Sequence, residues 1–132
     1  IAVADNNKAM RFTGNWIDFV YGNGDEDPYK IATTPGDALE VEFDGTGIAI
    51  LGSWDTDGGR ARVSIDGTPV KDIDTYYIKM AGKYQGNRAY LYFVTDLPDG
   101  HHTFRMENLE DHNPASTGNR LYVERALIYK KL

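Results

Sequence analysis

Between Leu51 and Ala61 the chain reads Gly52-Ser53-Trp54-Asp55-Thr56-Asp57-Gly58-Gly59-Arg60, a polar, turn-rich stretch around a single indole. A tryptophan in such a loop is unfavourable in water unless something covers it, so Trp54 offers a platform for an apolar face. The alternative is a lid folded back over the core. Asp55, Asp57 and Arg60 flank it, and the mixture recurs as Tyr84, Asn87 and Arg88 in one later stretch and as His112, Asn113 and Arg120 in another. Flat rings accept C–H groups, while carboxylates, amides and guanidinium groups make paired or charge-assisted hydrogen bonds. These are the parts needed to hold a polyhydroxylated ligand, whose buried hydroxyls all require partners. Tyr29, in the acid-rich segment Gly24-Asp25-Glu26-Asp27-Pro28-Tyr29, adds an aromatic wall or else packs on its own proline. Trp16, inside the strand-like Thr13 to Phe19, is read as core.

Catalysis finds fewer parts. Ser53, Ser64 and Ser116 lie outside any G-x-S-x-G turn, and His101, His102 and His112 lack H-E-x-x-H spacing. With 20 acidic residues some pair falls at glycosidase distance by chance, so such a pair carries no weight alone. The expectation is a binding protein and not an enzyme.

What must position these residues is a set of short strands. Leu39, Val41 and Phe43 alternate with Glu40 and Glu42, and Ala61, Val63 and Ile65 alternate with Arg62 and Ser64. Period two marks half-buried strands. Further runs are Arg11 to Val20, Gly47 to Leu51, Val70 to Tyr77, Ala89 to Val94, His102 to Asn108 and Leu121 to Tyr129, about eight strands in all. The expected fold is an all-β antiparallel sandwich, a jelly roll. Asp44-Gly45, Asp66-Gly67 and Asp99-Gly100 are read as tight turns supplying the positive φ of hairpins. They alternate with the long connections Tyr21 to Asp37, Ser53 to Arg60, Lys79 to Arg88 and Glu110 to Arg120. Successive connections in an antiparallel fold fall at alternating ends, which predicts one closed end and one end where the long loops converge.

At 132 residues the chain forms one domain, 1–132, with one core. Its net charge of -6 and lack of a basic stripe argue against nucleic acid and anionic membranes. It has no cysteine, hence no disulfide and no thiolate metal site. No apolar run approaches a membrane span, and a start at Ile1 without methionine suggests a processed chain or an excised module.

The string FDGTGIAILGSWDTDGGRARVSIDG, followed by LPDGHHTF and preceded by RFTGNW, resembles the F-x-G-T-G-I/V, I-D-G, L-x-D-G-x-H-T and S-G-x-W signals of galactose-binding-domain-like jelly rolls. That superfamily includes many carbohydrate-binding modules attached to polysaccharide-degrading enzymes. The matched residues Phe43, Gly45, Gly47, Gly67, Gly100, His102 and Thr103 are turn and strand-start positions and are read as structural. The resemblance implies a non-catalytic module that binds an oligo- or polysaccharide at the loop end. It also implies a linked catalytic domain on the same polypeptide and an extracellular, periplasmic or cell-surface setting. The rival from another class is a structural sandwich that packs against a catalytic domain and binds no glycan. No cofactor is certain; the resemblance raises a structural calcium ion near the chain ends, with Asp5 and Glu124 as support, although neither GDEDP nor DTDGG completes a calcium loop.

Overall fold

The computed structural model describes residues 2–4, 9–19, 29–78 and 89–132. Among them are eleven strands: β1 (Ala2–Ala4), β2 (Met10–Thr13), β3 (Ile17–Phe19), β4 (Tyr29–Ala32), β5 (Ala38–Gly45), β6 (Gly47–Ser53), β7 (Arg60–Ile65), β8 (Thr68–Asp74), β9 (Ala89–Val94), β10 (Gly100–Asn108) and β11 (Leu121–Tyr129). One antiparallel sheet runs β3-β4-β11-β6-β9, with β1 also on β11; the other runs β2-β5-β10-β7-β8. The all-β sandwich is as expected, and the strand count is higher than eight. The run Arg11 to Val20 splits into β2 and β3, which lie in different sheets, and β1 and β4 are short strands without a legible alternation.

The alternation decides which faces meet. Leu39 and Val41 of β5, Val63 of β7, Phe104 and Met106 of β10, Ile48 and Ile50 of β6 and Val123 of β11 are fully buried between the sheets. The polar partners of those positions face out and pair across strands: Glu40 receives Arg11 at 3.1 Å and Arg105 at 2.8 Å, and Arg62 meets Asp72. Trp16 is partly buried against the core, and its indole N–H donates to the Thr13 carbonyl at 2.9 Å.

Among the described residues, the connections Ser53 to Arg60 and Glu110 to Arg120 lie at the end opposite the Asp-Gly turns, but only Asp66-Gly67 is a two-residue hairpin. Its φ values of 52° and 81° suit Asp-Gly in the αL region, and it joins neighbouring β7 and β8. Asp44-Gly45 and Asp99-Gly100 instead lie where the chain crosses from one sheet to the other. His102 fastens this end. Its ring nitrogens lie 2.7 Å from the Asp66 carboxylate and 2.6 Å from the Pro98 carbonyl, with the residue 7% exposed. Both acceptors favour a doubly protonated ring, so Asp66 and then the Pro98 carbonyl raise the His102 pKa above 6.5, while His102 and the Thr103 N–H hold Asp66 below 3.8. The histidine's contribution is complete below pH 6.5 and is lost as pH rises through its raised native value. The carboxylate's is present above pH 3.8 and is lost as pH falls through its lowered one. The melting temperature of the wild-type chain is therefore expected to fall as pH is raised from 6.5 toward 8, and His102→Gln is expected to flatten that dependence.

At the loop end Asp37, 2% exposed, accepts the backbone N–H groups of Asn15 at 2.7 Å, Thr33 at 3.0 Å and Thr34 at 2.9 Å. It ties the β2–β3 turn to the β4–β5 loop. Gly14, at φ 104°, lies so close that a Cβ would stand 2.1 Å from the Asp37 Oδ1. Asp37→Ala strands three donors and is expected to lower the unfolding free energy by about 3 kcal/mol, read as a shifted urea midpoint at unchanged slope.

Candidate functional site

The loop end is built by stitching one long loop across another. The segment 54–60 and the segment 109–120 exchange backbone bonds: Gly59 N–H to the Arg120 carbonyl, Arg120 N–H to the Asp57 carbonyl, Thr117 N–H to the Thr56 carbonyl and Leu109 N–H to the Arg60 carbonyl. Ser116, buried, donates its hydroxyl to the Gly58 carbonyl at 2.8 Å. A third segment joins from the end of β8, where Thr75 N–H reaches the Gly59 carbonyl and Tyr77 N–H the Asp55 carbonyl. The buried Thr75 hydroxyl donates to that same Gly59 carbonyl at 2.7 Å. The two glycines permit this closeness, since a Cβ on Gly58 would stand 2.3 Å from the Thr75 carbonyl oxygen and one on Gly59 2.8 Å from the Asn119 Cα.

On this base the candidate side chains fall into groups. Trp54 is half-buried, packs against the core cluster and has Tyr77 at a ring-centroid distance of 5.9 Å. Asp55 turns back to accept its neighbour Thr56 N–H at 2.6 Å. Asp57 receives the Tyr122 hydroxyl, 2.9 Å from each carboxylate oxygen, with Arg120 at 3.9 Å. Burial, then the Asp57 carboxylate, pushes the Tyr122 hydroxyl pKa well up, so it remains a donor. Asp74 gathers Arg60 at 3.5 Å, Asn113 at 3.0 Å and the Tyr76 N–H at 3.0 Å, and Arg60 continues to Asp111 at 3.0 Å. Burial pushes the Asp74 carboxyl up, but the Tyr76, Asn113 and Arg60 bonds outweigh it and the net shift is down. His112 is exposed, its Nδ1 2.8 Å from the Asn113 carbonyl oxygen.

Tyr29 stands apart from this surface. It is 4% exposed within β4, and its hydroxyl accepts that of buried Ser53 at 3.1 Å. Of the long connection expected from Tyr21, Tyr29 to Ala32 form β4, Thr33 to Asp37 lie at the loop end and residues 21–28 lie outside the described residues. Tyr84, Asn87 and Arg88 lie outside the described residues, as does Asp5. Glu124 is 4% exposed at a bulge of β11, with Arg125 at 3.8 Å. Among the described residues no three His, Asp or Glu side chains gather to hold a metal ion.

Sequence reading missed Asp74, Asp111, Tyr77 and Tyr122. Asp74 and Asp72 were legible in retrospect, because they stand opposite Arg60 and Arg62 on antiparallel β7 and β8. It also missed a cleft of about 430 Å³ lined by Trp54, by Lys71 to Asp74 of β8 and by Tyr90 to Phe93 of β9.

No family model matches the chain. A curated relative, the A type blood alpha-D-galactosamine galactosaminidase of Flavonifractor plautii, is 32% identical over 95 residues, which is 72% of this chain and 8% of that protein. The chain thus spans less than a tenth of that relative. Among solved structures, a family 35 carbohydrate binding module from Clostridium thermocellum superposes with a TM-score of 0.61 at 17% identity, over 95% of this chain and 94% of the module. The likeness is one of fold, an all-β jelly-roll sandwich. A CBM35 from Paenibacillus barcinonensis shares this jelly roll at a TM-score of 0.55 and 12% identity, covering 96% of both chains. So does a Paenibacillus xanthan lyase, at 0.66 and 14% identity, over 98% of this chain and 13% of the lyase. In this jelly roll Gly45, Gly67, Gly100 and His102 sit at the end away from Trp54, which agrees with their structural reading.

Proposed function

We propose that this chain is a non-catalytic carbohydrate-binding module of a larger, secreted or cell-surface, polysaccharide-acting enzyme, and that it binds sugar at the loop end. The observation that carries the reading is Trp54, a half-buried ring at the mouth of a cleft, bordered by hydrogen-bonding groups whose positions are already set by Asp74, Arg60, Asn113 and Asp57. Preset donors and acceptors spare a weak ligand the entropy of ordering them. The neighbouring modules of family 35 and the galactosaminidase relative support the ligand class and the linkage to an enzyme. The serines support the non-catalytic assignment: Ser116 and Ser53 spend their hydroxyls on the Gly58 carbonyl and on Tyr29. Asp57, His112 and Arg120 are proposed to read hydroxyl stereochemistry beside the ring.

A structural role against a linked domain would use the opposite edge, where Ile17 and Phe19 of β3 are each 46% exposed. A glycan array of plant, algal and host polysaccharides, run with and without EDTA, separates the two. A binding module should retain a related group of glycans, and EDTA reports whether calcium contributes. A folded chain that is silent across the array would overturn the binding reading in favour of the structural one.

A further inference from the structure

The four strands that end the two ladders are not alike. β2 carries Arg11, β3 carries Asp18, and β8 carries Pro69, Lys71, Asp72 and Asp74. Charges and prolines at such positions keep a sheet edge from joining another chain. β9 reads Ala89-Tyr90-Leu91-Tyr92-Phe93-Val94, with neither, and among the described residues no strand pairs with its free edge. A bulge arranges its side chains. Across the β6–β9 ladder Ile50 pairs with Tyr92 and Leu51 with Tyr90, which leaves Leu91 as the extra residue. Leu91, 7% exposed, and Tyr92, packed against Phe104, both turn toward the core. Tyr90 and Phe93 both turn outward, at 50% and 62% exposure, edge to face with centroids 6.0 Å apart. A hydrogen bond with Tyr129 of β11 fixes Tyr90 there.

We propose that β9 is a pairing edge for a second copy of this chain, joined antiparallel about a two-fold axis between Leu91 and Tyr92. Residues that stand opposite each other in an antiparallel pair share a face. On an unbroken strand residues three apart face opposite ways, so Tyr90 could not stand opposite the Phe93 of an identical strand. The bulge changes this, because the order out, in, in, out from Tyr90 to Phe93 reads the same in both directions. The strand is thus complementary to itself, as a two-fold contact requires. Tyr90 of each copy stands across from Phe93 of the other, an aromatic pair formed twice, and the free backbone groups of the edge gain partners. Size sets the strength. Six residues span about 20 Å, and with two half-exposed rings this strip falls short of the roughly 800 Å² that each partner buries in a stable complex, so the dimer is a reversible one. Charge sets the salt dependence. The strip is uncharged while each copy carries -6, so screening their mutual repulsion strengthens the pairing. A contact through the outer face of the other sheet, where Arg11, Arg105 and Arg62 meet Glu40 and Asp72, would weaken with salt instead. Antiparallel pairing points the two loop ends in opposite directions; their use as two glycan sites rests on the proposed binding at Trp54, whereas the pairing itself does not.

The test is sedimentation velocity of the chain without glycan, from about 10 μM to about 1 mM, the range suited to a contact of this size. The weight-average mass is expected to climb from 14.8 kDa toward twice that value. Raising sodium chloride from about 50 mM to about 500 mM is expected to move the climb a few-fold lower in concentration. Phe93→Lys places a charge on the edge and is expected to keep the chain monomeric throughout. Val70→Lys, on the other edge at a side chain 50% exposed, is expected to dimerise as the wild type does. Circular dichroism checks that both variants fold. Should Phe93→Lys fail to fold, hydrogen exchange of the wild type at the two ends of the concentration range decides, with protection expected to rise at Tyr90 to Val94 and not at Lys71 to Asp74. A chain that is monomeric over the whole range overturns the proposal. So does a dimer that survives Phe93→Lys, one that salt weakens, or one whose added protection falls outside β9.

Discussion

Trp54→Ala is expected to weaken glycan binding at least tenfold while leaving the sandwich folded. In the proposed site the indole supplies the stacking face, and removing it would withdraw both apolar contact and the exclusion of water from neighbouring hydrogen bonds; a tenfold loss corresponds to only about 1.4 kcal/mol. Trp54 also packs against the core and Tyr77, so alanine is expected to lower the melting temperature as well. Trp54→Phe keeps a flat ring of smaller area and separates the two effects, because stability should largely return while affinity recovers in part. Isothermal titration against the best array ligand, beside thermal melts of both variants, reads the two quantities. An alanine variant that keeps full affinity would remove the tryptophan from the site.

Gly58→Ala is expected to have the larger effect on stability and to abolish binding without touching any ligand-facing group. A Cβ at this position would meet Thr75 on one side, with its carbonyl oxygen at 2.3 Å, its carbonyl carbon at 2.6 Å and its side-chain hydroxyl at 2.7 Å. The first two are backbone atoms, and the hydroxyl is held by its bond to the Gly59 carbonyl. The segment must lift, and the bonds of Thr75, Ser116 and Arg120 to it loosen together. A loss of about 3 kcal/mol is expected from overpacking at a rigid contact. Hydrogen exchange should rise first at Thr75, Tyr77 and Thr117, the amides that cross between loops. Retained protection there would show that the segments accommodate a methyl group.

The architecture was legible because its rules are periodic and local. Leu39-Val41-Phe43 and Ala61-Val63-Ile65 each declare a face, and the bounds of β9 and β11 match the runs Ala89 to Val94 and Leu121 to Tyr129. Three-residue strands such as β1 and β3 are too short to show a period, and their place follows from pairing with β11 and β4. Connection length placed Ser53 to Arg60 and Glu110 to Arg120 together, although two of the three Asp-Gly pairs proved to be crossovers between sheets. The site was legible only as residue types. Trp54, Asp57, Arg60, Asn113 and Arg120 do meet at one end, but Tyr29 is withdrawn into β4 and takes its partner from Ser53. The Tyr90–Phe93 pair escaped notice because a bulge creates it: inserting Leu91 brings the two rings, three positions apart, onto the outer face of the sheet, where unbroken alternation would send them to opposite sides.

β1 and β4 share one side of β11, and their placement fixes where the chain can be joined to anything else. Ala2 pairs with Ile128, and Thr46 N–H holds the Tyr129 carbonyl, so both ends of the chain leave from the pole that carries the Asp66-Gly67 hairpin. A polypeptide fused to either end, or an affinity tag used to immobilise the domain, therefore departs from the face opposite Trp54. Whatever is joined at either end, the loop end that carries Trp54 is turned away from the junction.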